Sequence, residues 1–111
     1  MNFQARQEGS TFVVTLSGRL DAVTAPEFEQ KIRDQINAGA AGIVIDFAAL
    51  DYISSAGLRA LLVMAKLLKE KNGQVCMANV TGNVRSVFEM SGFTSLFKMQ
   101  DSVAAAVAAI G

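Results

Sequence analysis

A short, unbroken apolar run, Ile43-Val44-Ile45, constrains this chain most, because helix-period sequence lies on either side of it. A strand that is apolar at every position must be covered on both faces. A second such run, Val75 to Ala78, sits behind another helical stretch. Short apolar strands that alternate with helices are the signature of a parallel sheet with right-handed crossovers. The 111 residues allow one domain, and 51% hydrophobic content supplies a packed core rather than a disordered chain.

The opening reads differently. Two strands, about Phe3 to Gln7 and Thr11 to Ser17, are joined by a turn through Gly9 and Ser10. In the second, Phe12, Val14 and Leu16 alternate with polar residues, as in a half-buried antiparallel pair, although Val13 breaks the alternation. A first helix follows. Thr24 and Glu27 have capping-box spacing, Pro26 stands in the first turn, and Val23 with Phe28 fits a hydrophobic staple. Phe28, Ile32 and Ile36 form its inward stripe, and Asn37 and Gly39 stop it.

A longer helix is expected from about Ala56 to Lys71, a third from Gly82 to Met90 ending at Gly92, a brief strand near Leu96 to Met99, and a last helix with Val103, Val107 and Ile110 on one face. The order is ββαβαβαβα, an α/β fold with one mixed β-sheet and helices packed on it. Sites in such sheets lie beyond the carboxyl ends of the strands. Three loops are expected to gather there: Arg19 to Thr24, Leu50 to Gly57, and Asn79 to Asn83.

Composition narrows the chemistry. Ten Lys+Arg balance ten Asp+Glu, so the basic excess of a nucleic-acid binder is missing. The chain has no His, which removes the usual general base and most transition-metal sites. No P-loop or dinucleotide-binding glycine fingerprint occurs. No uncharged apolar stretch approaches the ~20 residues that span a bilayer, and no secretory leader opens the chain. One cysteine, Cys76, points to a reducing cytoplasm, and its apolar strand makes it an inert core thiol. The composition is that of a binding module without a cofactor.

The segment Asp51-Tyr52-Ile53-Ser54-Ser55-Ala56-Gly57-Leu58-Arg59 stands out because it delivers two hydroxyls at the start of the longest helix. Unpaired backbone N–H groups there favour anions. A serine in this place is most often a cap, but one cap suffices; Ser54 can cap while Ser55 points outward. Gly57 fits either a packing contact under a neighbouring loop or the close approach of a partner's backbone. On the helix, Leu58, Leu61, Leu62, Ala65 and Leu68 form one apolar stripe, and Ala60, Val63, Met64 and Leu67 form another. The second stripe is satisfied equally by burial or by a partner. Asp46 and Asp51 form either an acid pair or, more commonly, loop caps. Asp21 faces water or binds loop amides.

On Gly18-Arg19-Leu20-Asp21, on Asp46-Phe47 followed by Tyr52-Ile53-Ser54-Ser55-Ala56-Gly57-Leu58, and on Val87-Phe88-Glu89-Met90-Ser91-Gly92-Phe93, the chain resembles the STAS family, and within it the small anti-sigma factor antagonists of bacterial stress and sporulation switches. The resemblance covers nearly all of residues 1–111 and implies a single domain of this kind. It implies a cytoplasmic partner switch, not an enzyme. The unmodified protein binds an anti-sigma factor that is also a serine kinase with a histidine-kinase-like ATPase fold, and so releases the sigma factor. Phosphorylation of one serine breaks the complex, and a serine phosphatase resets it. Direct nucleic-acid or membrane contact is not expected.

The family's acceptor position matches Ser55. Ser54 replaces the usual preceding Asp and becomes an alternative acceptor, while Ala56 replaces the second hydroxyl. The partner-binding surface is expected to comprise Asp21, Thr24, Ser54, Ala56 and Gly57 in the loops, with Arg59, Ala60, Val63, Met64 and Leu67 on the helix. A stressosome-type subunit or a transport accessory would keep this fold with another partner. A hydrolase built on Asp21, Asp46 and Asp51 is a competing class, for which loss of activity in Asp46→Asn would be the signature. A receiver domain would instead begin strand-helix.

Overall fold

The computed structural model describes residues 1–110. Its elements run β1 (Asn2–Glu8), β2 (Thr11–Leu20), α1 (Ala25–Asn37), β3 (Gly42–Ile53), α2 (Ser55–Glu70), β4 (Gln74–Ala78), α3 (Gly82–Met90), α4 (Phe93–Leu96), β5 (Lys98–Gln100) and α5 (Val103–Ile110). One five-stranded sheet takes the order β1-β2-β3-β4-β5. The β1–β2 hairpin is antiparallel and every later pairing is parallel. The expected order therefore holds, with the single turn α4 added after Gly92.

Burial of both sheet faces explains the apolar runs. On one face, Val14, Leu16, Ile43, Ile45 and Met77 pack under Phe28, Ile32 and Ile36 of α1, Leu61, Met64 and Leu68 of α2, and Val84 and Phe88 of α3. On the other, Val13, Val44, Cys76 and Ala78 meet Ala106 of α5, with Val103, Val107 and Ile110 beside it. Val13 thus breaks the alternation because β2 is an internal strand, covered at this residue on its second face as well. The half-buried reading of β2 is corrected accordingly.

Gly92 ends α3 in the left-handed region at φ +79°, which favours glycine. Phe93 then turns back into an aromatic series, Phe47–Phe88–Phe93–Phe97, with ring centroids 5.5, 5.7 and 5.6 Å apart, the first two pairs edge-on and the last tilted. Cys76 is buried; desolvation pushes its thiol pKa up, only partly opposed by Lys98. No helix among the described residues is long and apolar enough to cross a membrane.

β3 is much longer than its apolar run. Beyond Asp46, where β4 leaves it at Ala78, β3 continues to Ile53 paired with β2. Two register shifts, between Thr15 and Ser17 and between Gly18 and Arg19, each insert an extra residue in β3 and carry it out past the rest of the sheet. That projection sets where α2 begins.

Candidate functional site

The ends of β2 and β3 stay together. Arg19 pairs with Tyr52 and Leu20 with Ile53, and the Ser54 N–H donates to the Leu20 carbonyl at 2.9 Å. The loops at 19–24 and 50–57 therefore gather as expected. The loop at 79–83 does not join them. Asn79 Nδ2 donates to Asp46 Oδ1 at 2.9 Å, and a strand rise of ~3.3 Å per residue puts that level roughly 20 Å short of Ile53. The long β3 is the cause. Asp46 also accepts from the Ala48 N–H at 3.0 Å, so within β3 its carboxylate is spent on the first bulge and on Asn79, and it forms neither an acid pair with Asp51 nor the expected loop cap. No group of three His, Cys, Asp or Glu side chains among the described residues could hold a metal ion.

At the start of α2, Ser54 is extended (φ −100°, ψ 176°) and its Oγ accepts the Gly57 N–H at 3.3 Å. This caps the helix and spends the Ser54 side chain on the fold. Ser55 is the first helical residue, is exposed, and its hydroxyl makes no hydrogen bond among the described residues. A phosphate here would lie at the positive end of a sixteen-residue helix.

Gly57 settles as a packing residue. A Cβ on it would stand 2.7 Å from the Leu20 carbonyl oxygen and 2.8 Å from Ile53 Cγ1. The first turn of α2 lies directly against β2, and only a hydrogen fits between them. Gly57 sets the phase of the whole helix: Gly57, Ala60, Leu61, Met64 and Leu68 are its buried residues.

Three expected contact residues, Gly57, Ala60 and Met64, are thereby withdrawn from the surface, because they are buried within this protein. Leu62 moves the other way. Grouped in the sequence with Leu58, Leu61, Ala65 and Leu68, it is 44% exposed. The outward face of α2 reads Ser55, Arg59, Leu62 and Lys66, one per turn, with Leu58 and Val63 half-buried along its margins. Leu67 is half-buried and rests on the core. Ala56 is half-buried.

Beside this face, the turn before α1 is closed on itself. Asp21 Oδ1 accepts the Val23 N–H at 3.0 Å and the Thr24 N–H at 3.2 Å. The Thr24 Oγ accepts the Asp21 N–H at 2.9 Å and lies 2.9 Å from the Arg19 carbonyl, to which it donates. The backbone N–H of Thr24 above all, opposed by some desolvation and reinforced by Val23, the Thr24 hydroxyl and Arg19, holds the Asp21 pKa below the usual aspartate value.

This network replaces two expected devices. Thr24 makes no side-chain cap, because its hydroxyl is committed to the turn. Val23 forms no staple; it is 87% exposed, while Phe28 packs edge-on against Phe3 of β1 at 6.1 Å. The Asp21 and Thr24 side chains are thus largely engaged within the chain. The pattern missed Arg19 and Tyr52 as a unit: the guanidinium lies 4.2 Å from the ring centroid and 3.5 Å from Asp21 Oδ2. Their parallel pairing is what brings them together, and no spacing in the sequence signals it.

A family model described as the STAS domain matches residues 2–106. BtrV of Bordetella bronchiseptica, placed by its name among the anti-sigma factor antagonists, is 39% identical over 97 residues, covering 87% of this chain and 84% of BtrV. Among solved structures, the anti-sigma factor antagonist SpoIIAA in its unphosphorylated form aligns with a TM-score of 0.74 at 25% identity over 94% of this chain and 92% of that one. The phosphorylated form of SpoIIAA, a Bacillus cell fate determinant, aligns at 0.73 and 26% over 94% and 96%.

Proposed function

The chain belongs to the STAS domain family, and from that premise we propose that it is an anti-sigma factor antagonist whose binding is switched at Ser55. The unmodified protein docks its α2 face on an anti-sigma factor that is also a serine kinase with a histidine-kinase-like ATPase fold. That complex frees the sigma factor in the cytoplasm. Phosphorylation of Ser55 ends it, and a serine phosphatase restores it. The protein works by binding, with no catalytic step of its own.

The observation that carries this reading is the division of labour between two adjacent serines. Ser54 is half-buried and caps α2, whereas Ser55 is exposed and its side chain is left without a bond. A phosphate adds about −1.5 to −2 charge and strong acceptor oxygens. At the N-terminus of α2 the fold tolerates that charge, so its effect falls on the interface as bulk, desolvation and like-charge repulsion. The docking surface on this reading is Ser55, Arg59, Leu62 and Val63 on α2, flanked by Tyr52 and by the Asp21–Thr24 turn.

The test is the affinity for the cognate kinase before and after stoichiometric phosphorylation of Ser55. The expected outcome is a loss of about 100-fold or more, the usual scale for desolvating a charge and setting it against like charge in an interface. Undiminished binding by the phosphorylated protein overturns the reading.

A further inference from the structure

We propose, resting on Ser55 as the acceptor, that the phosphate it receives is held within the chain by Arg59, so that modification withdraws a cation from the docking face while adding an anion. Ser55 and Arg59 stand four residues apart in α2 and both are exposed. That spacing puts their Cβ atoms on one face at roughly 5–6 Å. The order is the favourable one, with the anion N-terminal to the cation. A guanidinium presents a planar fork that matches two phosphate oxygens, where an ammonium offers only a point charge.

The surrounding charges single out Arg59. Arg19 is already engaged by Asp21 Oδ2 at 3.5 Å and by the Tyr52 ring at 4.2 Å. Lys66, eleven residues along α2 from Ser55, lies roughly 16 Å away along the axis. Asp51 near the end of β3 and Asp21 on the turn carry the same sign as the phosphate. Among the described residues Arg59 forms no ion pair and no side-chain hydrogen bond, so no existing contact has to be broken.

The test installs phosphoserine at position 55 during translation, so that no kinase is needed, and follows the phosphate by 31P NMR from pH 4 to 9. Wild-type protein should show a second phosphate pKa lower by roughly half a unit than R59Q, the scale expected of one helix-surface partner acting on a doubly charged group. R59K, which keeps the charge but not the fork, should fall between them, and R19Q should match the wild type. Equal values in wild type and R59Q overturn the proposal, as does a lowering that survives in R59Q and disappears in R19Q. Because the phosphate is placed without a kinase, either result leaves the partner switch standing. A kinase that ignored Ser55 would sink the switch and leave this titration unchanged.

Discussion

The first turns of α1 and α2 lie side by side at the ends of β2 and β3, and they spend their polar side chains in opposite ways. Before α1, the Asp21 carboxylate and the Thr24 hydroxyl are tied into one turn, with three backbone N–H groups and the Arg19 carbonyl as partners. Before α2, one hydroxyl does all the capping and a second is spare. A turn that uses every polar group it has is scaffold. The turn before α2 has one hydroxyl more than the fold uses, and this contrast assigns structure to Asp21, Thr24 and Ser54 and leaves Ser55 for the proposed switch.

Substitutions that fill or empty these two turns put the contrast at risk. The largest effect should come from Gly57→Ala, whose new Cβ meets a backbone carbonyl at 2.7 Å. Overpacking of that kind costs about 1–3 kcal/mol, only partly offset by alanine's better helix propensity. A fall in urea midpoint without a change of slope is the expected result. Ser54→Ala removes the cap and should cost about 1 kcal/mol by the same measurement. Those losses would mark the α2 turn as built around these two residues.

Asp21→Asn should act less, and only above acid pH. A folded-state pKa below the ordinary value means that the Asp21 charge stabilises the fold above about pH 4, and that this is lost as pH falls through the lowered folded value. The gap in Tm between wild type and variant should therefore close on acidification; a gap independent of pH would show that the carboxylate acts as a neutral acceptor alone. Ser55→Ala should change stability least, by no more than ~0.5 kcal/mol, because its hydroxyl bonds to nothing in the fold. A loss as large as that of Ser54→Ala would erase the distinction between the two serines.

Much of this arrangement is legible in the residues. The hairpin, the two buried parallel strands, the α3 stop at Gly92 and the Ser54 cap all follow from local chemistry that the fold leaves in force. The length of β3 does not. Past Asp46 it pairs with β2 alone and carries bulges, so Phe47 to Ile53 show neither a continuous apolar run nor strict alternation. The phase of α2 was equally hidden, because apolar residues surround it on more than one side and give no single stripe. Gly57 fixes it through a contact with Leu20, which is distant in sequence. The capping box and staple before α1 were present as patterns and lost to competitors. Thr24 had a nearer partner in the Arg19 carbonyl, and Phe28 had Phe3 on the edge strand.

The most direct measurement is to map the phosphoryl group after the protein has been incubated with ATP and the anti-sigma factor kinase proposed as its partner, in the wild type and in Ser55→Ala. Phosphate is expected on Ser55 in the first and none in the second, because Ser54 is held by the Gly57 N–H. Phosphate on Ser54 in the wild type, or undiminished labelling of Ser55→Ala, would contradict it.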